Sequence, residues 1–145
     1  MEVRPKPGLV IRYDFLWKDD RDAGLVYGRK DRPCVVVLAS EPGENRACQV
    51  LVCAITHAPP ASDNLAVEIP HKVAQHLGLD DDRMWIKTDQ VNVFLWEEGR
   101  LPFGVTPARK GKWAFGILPY QLVKLAFDQV RQHSREQTIA VVERE

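Results

Sequence analysis

Apolar residues along the chain fall in short runs that are separated by segments rich in Gly, Pro and charged residues. Residues 8–17 are rich in β-branched and aromatic side chains and predict a half-buried strand, whose apolar face carries Ile11, Tyr13, Phe15 and Trp17. Continuous apolar runs at 33–39 and 47–55 flank the turn-forming segment 41–45 and predict two central strands joined by a turn. A shorter strand is predicted at 65–69 and a long strand at 84–96, the latter with a bend or bulge near 88–90 where the alternation slips.

Helical periodicity is confined to two segments. Residues 119–133 carry apolar side chains at spacings of one, three and four, which predicts an amphipathic helix. Residues 71–77 follow Pro70 and precede Gly78, which predicts a helix of one to two turns. The segments 18–31 and 97–118 are predicted to be loops, the second with one short strand, and the tail at 134–145 is predicted to add an edge strand or to fray. The pattern predicts an α+β fold, a small and mostly antiparallel barrel with a C-terminal helix.

Composition narrows the class of protein. The 145 residues predict one domain over residues 1–145. Twenty basic and twenty acidic residues give a net charge of zero, which argues against a histone-like protein that binds DNA without sequence preference. No apolar run reaches the ~18 residues of a membrane span and no apolar leader is seen, so we expect a soluble, cytoplasmic protein with no membrane partner. The three cysteines lie in apolar runs, which predicts buried thiols. Metal-binding residues are not found in pairs at short spacing, so we expect neither a metal site nor another cofactor.

Polar residues stand where the predicted buried strands begin, end or bend. They are Arg32 before the second strand, Thr56 and His57 after the third, and 87–90 in the fifth. If the strand ends meet, one pocket holds a guanidinium, a hydroxyl, an imidazole, an amine and a carboxylate. Such a set suits metal-independent cleavage of RNA, which needs a base, an acid and cations around the developing phosphorane.

Each of these residues also has a structural explanation. Arg32 can pair with a surface carboxylate, and Thr56 can simply cap a strand end. His57 is a single imidazole, which is more often structural than catalytic. Asp89 can pair with Lys87 two positions away on the same face. Spacing alone leaves both explanations open.

Four features of the chain resemble the PemK/MazF (Kid) family of bacterial toxins from toxin–antitoxin modules. They are an opening strand after Pro7-Gly8, the Arg32-Pro33 step into an apolar strand, a strand that ends at Ile55-Thr56, and the run Asp89-Gln90-Val91. Their order matches that of the family, the final helix is expected too, and the resemblance covers about residues 7–133, leaving 134–145 as a tail.

The resemblance implies a homodimeric SH3-like barrel that acts as a metal-independent, sequence-selective endoribonuclease on single-stranded RNA. Cleavage would leave a cyclic phosphate and a 5′-hydroxyl, and a cognate antitoxin would silence the toxin. By position, Arg32 matches the arginine that stabilises phosphorane charge or acts as acid, Thr56 the active-site hydroxyl, and Asp89 the proposed base, with His57 as a further catalytic candidate. The predicted RNA-binding residues are Lys87, Gln90, Arg29, Lys30, Arg109 and Lys110.

The chain also departs from the family pattern. Lys87 stands where some members have arginine, and a lysine is a point charge without the bidentate fork. Asn92 replaces a basic position, and the element that usually precedes Arg-Pro is not recognisable in residues 25–31. Two further functions therefore stay open. One is a non-catalytic interaction module that binds an antitoxin-like peptide or nucleic acid, and the other, ranked last, is a CcdB-like gyrase poison.

Overall fold

Strands account for most of the regular structure in the computed structural model, which describes residues 3–80 and 82–145. The strands of these residues are β1 (Leu9–Tyr13), β2 (Arg32–Ala39), β3 (Ala47–Thr56), β4 (Ala66–Ile69), β5 (Met84–Lys87), β6 (Gln90–Glu97), β7 (Val105–Thr106), β8 (Ala114–Ile117) and β9 (Ala140–Glu143). The helices are α1 (Lys18–Asp22), α2 (His71–His76) and α3 (Tyr120–Arg135), with short 3₁₀ turns at Glu44–Arg46 and Asp63–Leu65.

The strands pair into one mostly antiparallel sheet, as predicted. Hydrogen-bonded neighbours follow the order β4-β5-β3-β2-β1-β7, while β6 attaches to β3, β8 to β1 and β9 to β6. Among the described residues, the pair of β6 with β9 is parallel and the other strand pairs are antiparallel. Within the same residues β7 does not pair with β4, so the sheet is open, and closure into an SH3-like barrel stays a prediction.

The strand predicted at 84–96 is divided into β5 and β6 by a break at Thr88 and Asp89. Both β5 and β6 pair with β3, so the strand on either side of the break has the same neighbour in the sheet. Thr88 is fully buried, and its hydroxyl lies 2.6 Å from the side-chain oxygen of Gln129 on α3. The predicted bend is therefore present, and its contact with α3 stabilises it.

Two hydrophobic clusters fill the interior. One lies between the sheet and α3 and includes Val35, Ile55, Ile86 and Ala126. The other is rich in aromatic side chains and includes Tyr13, Phe15, Phe94 and Trp96. Alternate side chains of a strand point to opposite faces, so β2 and β3 contribute residues to both clusters. The continuous apolar runs of these two strands follow from burial on both faces.

Three details of the predicted arrangement are wrong. A short helix, α1, lies in the segment predicted to be a loop, and an ion pair between Lys18 and Asp22 at 2.8 Å supports it. Residues 97–118 form two short strands instead of one. Helix α3 is not the terminal element, because the chain continues into β9, which pairs with β6 in the parallel direction. The tail thus adds a strand, which is the first of the two alternatives predicted for it.

Thiol reactivity tests the packing of this core. The cysteines at 34, 48 and 53 are buried and form no disulfide. Burial raises the pKa of the Cys34 thiol, and burial together with the nearby charge of Asp89 raises the pKa of the Cys53 thiol. Since the thiolate is the reactive form, we expect the native protein to react negligibly with a thiol reagent near pH ~8, and the denatured protein to release three equivalents. Rapid labelling of the native protein would contradict this packing.

Candidate active site

The ends of β2, β3 and β5 meet at one side of the sheet. Cys34 pairs with Ala54 across the antiparallel β2–β3 ladder, and continuing this register by two residues places Arg32 opposite Thr56. Thr56 pairs in turn with Trp85 on β5, and Arg32 pairs with Tyr13 at the end of β1. The register of the sheet therefore brings together Arg32, Thr56 and the strand that ends at Lys87.

A pocket of about 430 Å³ opens at these strand ends. Its wall contains an indole, a hydroxyl and an ammonium group, from Trp17, Thr56 and Lys87. The remaining lining residues are small, prolyl or aliphatic: Ala58, Pro59, Pro60, Ala61, Leu65 and Ala66. A concave surface with a few convergent polar groups in an otherwise apolar wall is typical of a ligand site.

Arg32 borders this pocket through Trp17. Its guanidinium carbon lies 5.2 Å from the centre of the Trp17 ring, within the range of a cation–π contact. The Arg32 Nε is buried and has no hydrogen-bond partner, and no carboxylate of the described residues lies within ion-pair distance of the side chain. Among the described residues, the structural explanation of Arg32 as half of a surface ion pair is therefore not met, and the guanidinium has no carboxylate beside it.

The hydroxyl of Thr56 lies in the wall of the pocket. Its oxygen accepts a hydrogen bond of 3.1 Å from the backbone N–H of Ala58, which fixes the turn after β3. A hydroxyl has one proton to donate as well as two lone pairs, so this contact leaves the proton available to an acceptor in the pocket. Thr56 serves the turn and can also donate a hydrogen bond to a ligand.

Lys87 and Asp89 form an ion pair beside the pocket. The Lys87 Nζ lies 3.0 Å from the Asp89 Oδ1, but that oxygen has no partner with hydrogen-bond geometry. The backbone of Asp89 is fixed by the tail, since the Ala140 N–H donates to its carbonyl at 2.9 Å. The pairing anticipated as a structural explanation for Asp89 is present, and it places an amine and a carboxylate together at the break between β5 and β6.

Two of the predicted site residues contact other parts of the chain. The imidazole of His57 is absent from the pocket wall: its Nδ1 lies 3.1 Å from the Arg83 carbonyl and its Nε2 lies 3.3 Å from Asp80. Gln90 accepts a hydrogen bond of 2.9 Å from the backbone N–H of Lys18 and so supports the start of α1. Neither residue belongs to the lining of the pocket.

The predicted basic contacts with RNA are largely occupied. Arg29 pairs with Asp20 at 3.0 Å, while Lys30 and Lys110 are exposed. Arg109 donates to the Leu77 carbonyl at 2.6 Å and so caps the end of α2. Gly78 makes room for this contact, because a Cβ at that position would lie 1.7 Å from the Arg109 Nη2. In the structure, Arg109 therefore caps the C-terminal end of α2.

One group of donors could hold a metal ion. The ligand atoms of His57, Asp80 and Asp82 lie within 4.8 Å of one another, and all three side chains are exposed. Their separation along the chain hides this group from a search for short ligand spacings. None of the three residues lines the pocket at the strand ends.

Sequence reasoning missed two parts of the site. Trp17 was expected to lie on the buried face of a strand, but β1 ends at Tyr13 and the Trp17 ring lines the pocket. Asn92, noted as the loss of a basic residue, is fully buried, and its amide accepts from the Leu16 N–H and donates to the Leu16 carbonyl, both at 2.9 Å. The departure from the family pattern at position 92 therefore braces the backbone next to Trp17.

Comparison with known proteins places the chain in a family. Residues 12–100 match the model of a family described as the PemK-like, MazF-like toxin of type II toxin–antitoxin systems. The match covers more than half of the chain, so the protein belongs to this family of toxins. The predicted membership is confirmed, and it implies an antitoxin partner. No curated protein and no solved structure matched the chain in the other two comparisons. In the part of the chain that the structure describes, no helix is long and apolar enough to cross a membrane.

Proposed function

We propose that the protein is a toxin that inhibits growth by cutting single-stranded RNA, without a metal ion, at selected sequences. The observation that carries this proposal is the uncompensated Arg32 guanidinium next to a pocket lined by Thr56 and Lys87. A phosphodiester is the anion that such a set of donors suits, because charge develops on its oxygens during cleavage. Membership of the toxin family supports the same assignment.

The residues present can carry the proton transfers that this reaction needs. The Asp89 carboxylate takes the proton of the RNA 2′-hydroxyl, and the 2′-oxygen attacks phosphorus. The bond from phosphorus to the 5′-oxygen breaks, and the Lys87 ammonium gives that oxygen a proton. Arg32 and the Thr56 hydroxyl donate to the phosphorane oxygens. The products are a 2′,3′-cyclic phosphate and a 5′-hydroxyl, and the proton on Asp89 returns to Lys87 across their 3.0 Å contact.

The finer features of the family form part of this proposal. They are an SH3-like barrel, a homodimer and action in the cytoplasm. Strands β1 and β3 each pair with three others, so the sheet must bend, which supports a barrel-like shape. Exposed Leu38, Ile117 and Tyr120 border an apolar groove that supports association with a second protein chain. The reduced, buried cysteines support a reducing compartment.

A direct assay tests the activity. The full chain is incubated with RNA of mixed sequence in excess EDTA, with DNA of the same sequence as the control that lacks the 2′-hydroxyl. We expect discrete cuts in the RNA alone, with 5′ ends that accept phosphate from a kinase without prior phosphatase treatment, and with cyclic phosphates at the 3′ ends. An absence of cuts, or cuts that EDTA abolishes, would contradict the proposal.

A non-catalytic interaction module is the second candidate function. The contacts of Arg29, His57 and Arg109 within the chain favour it, because each of these exposed side chains already has a partner within the protein. In that case the folded protein would bind a peptide of the antitoxin class or RNA while leaving RNA intact. Binding without cutting in the same assay would distinguish this function from the first.

A further inference from the structure

Trp17 makes a contact with Arg32 that nothing in the proposed reaction explains. The Arg32 guanidinium lies over the indole ring at 5.2 Å, and the same ring lines the pocket beside Thr56 and Lys87. Among the described residues, three other arginines lie over aromatic rings: two of them also pair with a carboxylate, and the third, Arg131, contacts a ring of its own helix. Arg32 differs from them because its aromatic contact lies at the pocket and no carboxylate in the described part of the chain stands within ion-pair distance.

The aromatic face attracts a cation without neutralising it. A carboxylate at this place would compete with a phosphate for the guanidinium, and it would occupy N–H groups that the phosphate needs. A cation–π contact uses the face of the guanidinium plane and leaves the N–H groups at its edge without a partner. The Arg32 Nε accordingly makes no hydrogen bond to the rest of the described protein.

The Trp17 ring is itself held in place from both sides along the chain. The backbone of Leu16 is bonded through its N–H and its carbonyl to the buried amide of Asn92. The N–H of Lys18 donates to Gln90, and the ring of Phe15 packs edge-on against Trp17 at 4.7 Å between centroids. A ring fixed in this way can restrict the orientation of the side chain that lies over it.

We infer that Trp17 is a positioning residue for Arg32: it orients the guanidinium toward the phosphate while leaving its charge uncompensated. This inference rests on the proposed ribonuclease function for its catalytic consequence. It also makes a claim about the free protein, because the Arg32 N–H groups must sense the ring current of Trp17 in the absence of RNA. Trp17 does not take part in bond making or breaking.

The test compares Trp17→Leu, which removes the aromatic face, with Trp17→Phe, which retains one. Trp113→Leu is the matched control, since that partly buried ring packs against Trp96 and does not line the pocket. We expect Trp17→Leu to lower kcat for RNA cleavage by at least about tenfold with KM changed less than about twofold, because misorientation weakens contacts made in the transition state. Trp17→Phe should recover most of the rate, and Trp113→Leu should leave it unchanged.

A spectroscopic measurement separates this inference from the proposed function. The Arg32 Nε–H resonance, assigned with Arg32→Lys, should be shifted by the ring current in the wild type and in Trp17→Phe. It should return toward the position of ordinary arginines in Trp17→Leu. An unchanged Arg32 resonance together with an unchanged kcat in Trp17→Leu would overturn the inference. Failure of the wild type to cut RNA would contradict the proposed function and leave the resonance test to decide the positioning.

Discussion

Replacing Arg32 with Ala is expected to lower the rate of RNA cleavage by at least about 10²-fold without unfolding the protein. The guanidinium has no carboxylate partner in the described residues. Its removal therefore leaves no buried carboxylate without a cation and should lower the free energy of unfolding only slightly. Loss of a single donor to a developing oxyanion costs about 10²–10³ in kcat in well-studied enzymes. The measurement is cleavage of a defined RNA under single-turnover conditions in EDTA, with urea unfolding of both proteins.

Two further variants show which property of Arg32 matters. Arg32→Lys keeps the charge but loses the planar fork, so it should recover only part of the lost rate. Arg100→Ala is the control, because that arginine is exposed and pairs with Glu97 on the surface. Full cleavage by a folded Arg32→Ala protein would show that Arg32 is not in the site. An equal loss in Arg100→Ala would point to a general effect of charge on RNA binding instead.

Much of the sheet could be predicted from the sequence because its signals are local. The apolar runs of β2 and β3 reflect burial on both faces, and the amphipathic period of α3 reflects one buried face. The slip in alternation near Thr88 correctly predicted the break that places Asp89. Helix α1 was missed because its five residues carry no apolar face, and its first N–H is bonded by Gln90, which is distant in sequence.

The candidate site was predictable only in part, for a similar reason. Strand ends can be predicted locally, and the register then brings Arg32 near Thr56. His57 follows Thr56, and adjacent residues of an extended chain point in opposite directions, which is why its imidazole contacts Arg83 and Asp80 and not the pocket. Trp17 acquires its role only because β1 ends early and Asn92 bonds the backbone of Leu16. No local pattern contains that long-range contact.

The tail provides the clearest case of a long-range contact that the sequence hides. Arg144 is nearly buried, with 6% of its side chain exposed, and its Nη2 pairs with Asp14 at 3.0 Å. Its Nη1 donates to the Asp14 carbonyl and to Asn92, both at 2.9 Å, and its guanidinium lies 5.2 Å from the centre of the Tyr13 ring. The Arg144 side chain therefore links the residue after β9 to the end of β1.

Replacing Arg144 with Ala is therefore expected to lower the free energy of unfolding by about 3–5 kcal/mol, the usual cost of removing one partner of a buried ion pair. The loss leaves the Asp14 carboxylate without its cation, although 13% of that side chain remains exposed and limits the penalty. The measurement is urea unfolding followed by circular dichroism. Arg135→Ala, at the exposed end of α3, is the control and should change stability by less than about 0.5 kcal/mol.

A second substitution distinguishes the lost charge pair from lost packing. Asp14→Asn in the Arg144→Ala background removes the uncompensated carboxylate, so the double variant should be more stable than Arg144→Ala alone. If the cost came only from the cavity left by the guanidinium, Asp14→Asn would bring no recovery. A loss below about 1 kcal/mol in Arg144→Ala itself would show that the tail is not fastened by this pair. Since Asn92 bonds both Arg144 and Leu16, a large loss would also tie the stability of the tail to the segment that carries Trp17.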